Sequence, residues 1–503
     1  MSFHIPISLA PTPFIVGGVT LLVLIFLGGR RRVKPALPYP PGPRPLPLIG
    51  NILEMPQSRF ALTWSKFGED YGPLTWLTIP GQAILVINSY EAAKELLEKR
   101  SATFIDRPRF TMTKELLGAV VKSDYSSLLE TKAREYLERC AGHPETIMPE
   151  TRRIVGESII QVAYGKLEDE TGRDYIQVAT RLLDIVIFSL QGYVVDIFPS
   201  CMRFKRDAIR WKAEICDLEG AIFGLAKKNM VGVPEARLGT YTYGNLFLPI
   251  KLSDDPKVRS SFMFKKMQDL DNKQEEGIDV KQHWDDVSYC GLQIFFGGLE
   301  TSEATMQSFI RAMTLFPSVQ KKAQAEIDRV IGLGRLPAFK DQQDLPYVYA
   351  VVLETLRWNP VVSTGVPRVS RKDDTYGGYF IPKGTTVIAN AWGFSRNTNY
   401  YTNPSTFDPE RFLKQTPELD PREFAFGYGR RLCPGQDLAF AKVWILVAST
   451  LWAFNVVGTE DESKPFSDVD QFTFGMANRP LDFKCKFVPR HEGLMDKLAD
   501  AAT

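Results

Sequence analysis

The residue in this 503-residue chain best placed to do chemistry is Cys433, in the run FGYGRRLCPG at 426–435. Three glycines in ten residues mark a backbone that bends tightly and approaches something closely. A helix is expected to start near Gln436. The sulfur then lies at a helix N-terminus, where the dipole and free N–H groups stabilise a thiolate, and Arg430 and Arg431 add positive charge. Such a sulfur suits a redox nucleophile or a metal ligand; the alternative is a buried structural cysteine. A second candidate is Glu300-Thr301, which follows Gly297-Gly298 inside an apolar stretch. Each mid-helix glycine costs about 1 kcal/mol relative to alanine, and polar side chains in an apolar helix are costly without partners. An acid beside a hydroxyl suits proton transfer; the alternative is a helix kink with the Thr301 hydroxyl bonded back to the preceding turn. Third, Glu354 and Arg357 stand three apart among Val351, Val352, Leu353 and Leu356. An exposed pair of this kind contributes only about 0.2–0.5 kcal/mol, whereas a buried one needs further partners to offset its desolvation.

The elements that must position these residues are mainly helical, with small sheets. Leu74 to Asn88 reads as two strands around Pro80-Gly81, and Tyr90 to Arg100 as a helix. Trp284 to Phe316 is a long helix closed by Pro317, Ser318 to Ile331 an amphipathic one, and Pro346 to Trp358 one bounded by prolines. Lys372 to Ala391 alternates as strands and turns. Gln436 to Trp452 is apolar nearly all round and therefore buried. No βαβ alternation and no GxGxxG after a strand occurs, so a dinucleotide domain is not indicated.

Composition narrows the class. With 44% hydrophobic and 24% charged residues the chain is globular, and 61 basic against 59 acidic residues leave no footprint for nucleic acid. Six scattered cysteines without CxxC exclude a disulfide-dense scaffold and a standard zinc finger, and four distant histidines argue against a multi-histidine metal site. Ile5 to Gly29 carries no charge, and Arg30, Arg31, Arg32 and Lys34 follow. This predicts a single-pass transmembrane anchor with the body cytoplasmic; a cleaved signal peptide is the weaker alternative, since no small-x-small site precedes the arginines. The expected organisation is an anchor over 1–34, a proline-rich spacer over 35–47 and one large domain over 48–503.

Four ordered motifs give this chain a family likeness. The order Phe426-x-x-Gly429-x-Arg431-x-Cys433-x-Gly435 resembles the haem-binding loop of the cytochrome P-450 family, the haem-thiolate monooxygenases. Glu354-Thr355-Leu356-Arg357 resembles that family's Glu-x-x-Arg helix, residues 407–412 its meander, and Gly297-Gly298-Leu299-Glu300-Thr301-Ser302 its oxygen-activating helix. The likeness covers nearly the whole chain and is similar in style to filamentous-fungal members of secondary metabolism.

The resemblance implies haem b with Cys433 as axial ligand, Gly435 leaving amides aimed at the sulfur, Phe426 packing beside it, and Arg431 and Arg368 on the propionates. It implies that Gly297 and Gly298 make room for the macrocycle and dioxygen, that Thr301 and Glu300 handle dioxygen and its protons, and that Arg411 completes a structural trio with Glu354 and Arg357. Residues 361–364 would line a cavity for an apolar small molecule, a terpenoid first and a polyketide or an indole next. Electrons would come from NADPH through a flavoprotein reductase in the endoplasmic reticulum membrane, docking on a basic face with Arg422, Arg430 and Lys442. The family's Trp-x-x-x-Arg helix is missing after Gly118, and the stretch around Phe198-Pro199-Ser200-Cys201 is short. A haem-deficient, non-catalytic relative is therefore the competing expectation, with Arg396 a conceivable substitute for the missing arginine. A haem-thiolate isomerase or dehydratase ranks lower.

Overall fold

The computed structural model describes residues 36–106 except 57, 125–165, 167, 173–189, 202–231, 259–275, 281–458 and 471–500 except 476. The expected anchor, the segment after Gly118 and the stretch 198–201 lie outside them. In chain order the elements are α1 (Phe60–Tyr71), β1 (Leu74–Ile79), β2 (Gln82–Ile87), α2 (Tyr90–Ala93, continued by a π turn to Lys99), α3 (Ser126–Gly142), α4 (Ile147–Tyr164), α5 (Tyr175–Ser189), α6 (Met202–Val231) and α7 (Phe262–Glu275). Then come α8 (Lys281–Leu315), α9 (Pro317–Val330), α10 (Pro346–Trp358), β3 (Arg368–Val369), β4 (Asp374–Tyr376), β5 (Tyr379–Ile381), β6 (Thr386–Ala389) and α11 (Ala391–Arg396). The last are α12 (Arg422–Ala425), α13 (Gln436–Ala453), β7 (Phe454–Gly458), β8 (Cys485–Pro489) and α14 (Leu494–Asp500).

This is the mainly helical architecture with small sheets expected from the sequence. The hairpin β1–β2 turns at Pro80, whose ring fixes φ, and Gly81, at φ +81°. β2 then pairs in parallel with β6, and β6 antiparallel with β3, giving a four-stranded sheet ordered β1-β2-β6-β3. The main core joins α3, α4, α8, α10 and α13 through residues such as Tyr136, Ile159, Phe295, Phe309, Leu353 and Leu446. In α13 every residue from Val443 to Ala453 is buried, as its all-round apolar sequence predicts. A second core, with Leu85, Leu97, Phe104, Val387 and Tyr428, joins the sheet to the loop before Cys433.

The endoplasmic-reticulum, single-pass placement is withdrawn. Among the described residues no helix is long and apolar enough to cross a membrane.

Candidate active site

The loop over 426–435 bends as its glycines require. Gly427 and Gly429 have φ of +83° and +51°. A Cβ on Gly429 would stand 2.9 Å from the Ser101 Cβ and 3.0 Å from the Glu98 carbonyl oxygen, so the π turn after α2 leaves no room for a side chain. The Cys433 N–H donates to the Phe426 carbonyl at 2.8 Å, closing the loop, and the Phe426 ring packs against the main core. Gly435 is the N-cap of α13, and no side chain caps that end. Its N–H bonds to the Cys433 sulfur and lowers the thiol pKa, but burial raises it more, so the thiol stands above its ordinary value. Cys433 is nonetheless exposed. The residue is thus open to solvent while its sulfur is desolvated by its surroundings. The expected help from Arg430 and Arg431 does not reach it, because neither charge contributes to the shift.

Arg431 instead donates from Nε to the Ile105 carbonyl at 3.0 Å. Arg368, buried, donates to the carbonyls of Leu97 at 2.8 Å, Phe104 at 3.4 Å and Tyr428 at 2.6 Å. The two guanidinium groups thus flank adjacent residues, Phe104 and Ile105, beside the cysteine loop.

Helix α8 runs through the core and opens at one point. Gly297 is exposed, with Phe295, Phe296, Leu299 and Glu300 buried around it. A Cβ on Gly297 would meet nothing within 4 Å. Of the two glycines expected to make room for the cofactor, Gly298 has another reason for its missing side chain. A Cβ there would stand 2.5 Å from both Cδ1 and Cγ1 of Ile159 on α4, so it permits close helix packing, and the open position is Gly297. The Thr301 hydroxyl donates to the Gly297 carbonyl at 2.7 Å, the back-bonded arrangement. Glu300, buried, is ion-paired through Oε1 with Arg479. Arg479 lies on a loop held to α8 by buried amides: Asn478 Nδ2 donates to Asn359 Oδ1 at 2.6 Å, and Asn359 Nδ2 to Ser308 Oγ at 2.8 Å. No local pattern points to Arg479, which is 179 residues from Glu300 in the chain.

The trio of Glu354, Arg357 and Arg411 is assembled and fully buried. Arg357 donates to both Glu354 oxygens at 2.8 Å, and Arg411 Nε to Oε2 at 3.1 Å. The remaining guanidinium donors reach the carbonyls of Ser395, Pro404, Thr406 and Thr402, and Glu418 at 2.6 Å. These further partners offset the desolvation.

Two expectations fail on geometry. Lys442 is no part of a docking face: it is buried, and its Nζ donates to the Gly298 carbonyl at 2.9 Å. It is the lone charge in α13 after Asp437, a signal visible in the sequence. Arg396 does not replace a missing arginine, since its guanidinium stacks 3.9 Å over Trp392 and donates to the Trp358 carbonyl at 2.7 Å.

A family model described as Cytochrome P450 matches residues 40–125 and 132–487. The chain belongs to the cytochrome P450 family. Among curated relatives, cytochrome P450 monooxygenase claR of Ampulloclitocybe clavipes is 33% identical over 487 residues, covering 90% of this chain and 86% of the relative. Cytochrome P450 monooxygenase 208 of Postia placenta is 32% identical, covering 94% of each. Cytochrome P450 monooxygenase ppsD of Aspergillus oryzae is 32% identical, covering 90% of this chain and 89% of the relative. The P450 family binds haem b through a cysteine thiolate, and this chain is a monooxygenase of that kind. Its own residues fit the group: an exposed sulfur with a backbone N–H already aimed at it, and a side-chain-free opening at Gly297 on a helix that packs against α13.

Proposed function

We propose that this P450 takes electrons from NADPH through a separate flavoprotein reductase and places one oxygen atom of O2 into an apolar small molecule of fungal secondary metabolism, with a terpenoid scaffold first. The supporting observation is Cys433: an open thiol at the start of α13, with the Gly435 N–H on its sulfur. Bound haem supplies the activation of dioxygen, which a thiolate ligand favours by pushing electron density onto the iron. On this reading Cys433 would hold the haem iron through its thiolate, and the Gly435 N–H would temper the sulfur's charge. Arg368 and Arg431, in their places beside Phe104 and Ile105, would meet the propionates. The catalytic domain is the stretch 48–503.

Thr301 and Glu300 handle protons. The Thr301 hydroxyl, resting on the Gly297 carbonyl, can rotate to donate from Oγ1 into the opening beside Gly297. The Glu300 carboxylate, held by Arg479, accepts a proton from the solvent side and passes it inward. Val361, Val362, Ser363 and Thr364 would line the substrate cavity on this reading, offering no charge to read. Reductase docking falls to the exposed Arg430 beside the cysteine loop.

The test is reconstitution of the full chain with a fungal reductase, NADPH and a panel of terpenoids, polyketides and indoles. Oxygenated product that requires reductase and disappears in Cys433→Ser is the expected outcome. Product formation by the folded Cys433→Ser chain at the wild-type rate would refute it.

A further inference from the structure

We propose that Lys442 is a positioning residue: its Nζ ties the turn of α8 over 297–301 to the helix that follows Cys433. Lys442 lies in α13, 2% exposed, and donates to the Gly298 carbonyl at 2.9 Å. Gly298 is clamped from a second direction by Ile159, which occupies the space where its Cβ would be. The Thr301 hydroxyl occupies the neighbouring carbonyl, that of Gly297, at 2.7 Å. The adjacent carbonyls of Gly297 and Gly298 therefore each carry a side-chain donor in addition to the helix ladder. Donors inserted in this way set the local bend of a helix. In packing alone an apolar side chain of similar length would serve better, because a buried amine must be desolvated. The hydrogen bond is what the amine adds.

The tie is sensitive to protonation. Burial alone pushes the Lys442 ammonium down to about 7. Among the described residues no charge balances it: on α10 Glu354 is paired with Arg357, and on α9 Asp328 with Arg490. On α8, Glu300 is paired with Arg479 and Glu303 with Arg152 of α4; on α3, Lys132 and Arg139 share Glu157 of α4. Above about pH 7 the amine donates without charge. In acid it becomes a buried ammonium with no counter-ion, and the turn over 297–301 must admit water to solvate it.

That this turn works on the oxygen side of the site rests on the function proposed above; the tie itself does not. The experiment is hydrogen–deuterium exchange on the full chain, read on peptides covering 296–303. In Lys442→Met, exchange there should rise about tenfold, the equivalent of one lost hydrogen bond, with little change in the rest of α13. In the wild type, the same peptides should lose protection, after correction for intrinsic exchange, as pH falls from about 10 to about 7 and level off below that, while the variant shows no such slope. Unchanged exchange at 296–303 in a folded Lys442→Met chain overturns the proposal. If that variant does not fold, a wild-type series flat between about pH 7 and about pH 10 overturns it, and protection that rises across that window supports it. A chain that passes this test yet binds no haem would refute the functional reading and leave the tie standing.

Discussion

Replacing Glu354 by glutamine changes one atom's chemistry and should remove a large share of the protein's stability. Glu354 is fully buried between two guanidinium groups. Its Oε1 accepts from Arg357 at 2.8 Å and from the Asp408 N–H at 2.7 Å, and its Oε2 from Arg357 at 2.8 Å and Arg411 at 3.1 Å. Both oxygens are thus acceptors for two donors each. A glutamine NH2 turns one of those positions into a donor facing donors and leaves two buried cations without the carboxylate between them. Removing one partner of a buried ion pair costs about 3–5 kcal/mol, set against about 5–15 kcal/mol for a whole folded protein. Arg411→Met should cost less, because Glu354 keeps Arg357 and Glu418 keeps Lys414. The exposed pair Lys322–Glu410 serves as control, and Lys322→Met should produce no measurable change. The assay is denaturant unfolding of the full chain followed by far-UV circular dichroism. A Glu354→Gln midpoint corresponding to a loss under about 1 kcal/mol would refute the reasoning.

Other substitutions separate packing from site. Gly297→Ala should stabilise α8 by up to about 1 kcal/mol because its Cβ meets open space, whereas Gly298→Ala should destabilise it by overpacking against Ile159. Ile159→Ala made in the Gly298→Ala background should cost at least about 1 kcal/mol less than in the wild type, and strict additivity in a double-mutant cycle would contradict the clamp. Lys442→Met should raise stability near neutral pH. With a folded pKa of about 7 against 10.5 unfolded, the unfolded chain holds a proton that the folded chain lacks between those values. Wild-type stability therefore rises with pH across that window by up to about 1.4 kcal/mol per unit, and the penalty is complete below it. Unfolding midpoints at several pH values should show that slope in the wild type and not in the variant; parallel profiles would be inconsistent with a buried amine.

The helices that carry the site were legible because their signals are local. Pro317 and Pro346 mark boundaries, and the all-round apolar run after Gln436 marks a buried helix. The trio of Glu354, Arg357 and Arg411 was legible in part: the spacing and apolar flanks of the first two demand a further partner, and the meander motif pointed to Arg411. Gly298 and Gly297 were not distinguishable, since which of two adjacent glycines faces open space depends on the rotation of α8 against Ile159. Arg479 could not be read at all, for it meets Glu300 only because Asn359 and Asn478 dock its loop on α8. Lys442 was misread as a surface charge, although its apolar neighbours in α13 argue for burial. The charge expected from Arg430 and Arg431 at the sulfur failed for a related reason: a sequence places charges near each other but does not show that Arg431 turns to the Ile105 carbonyl.

The central claim is that Cys433 holds haem through its thiolate. The most direct test is the carbon monoxide difference spectrum of the dithionite-reduced full chain, recorded beside Cys433→Ser. A Soret band at the thiolate-shifted position in the wild type, absent from the variant, is the predicted result. Folded wild-type protein with no such band, or a band that survives Cys433→Ser, would contradict the account.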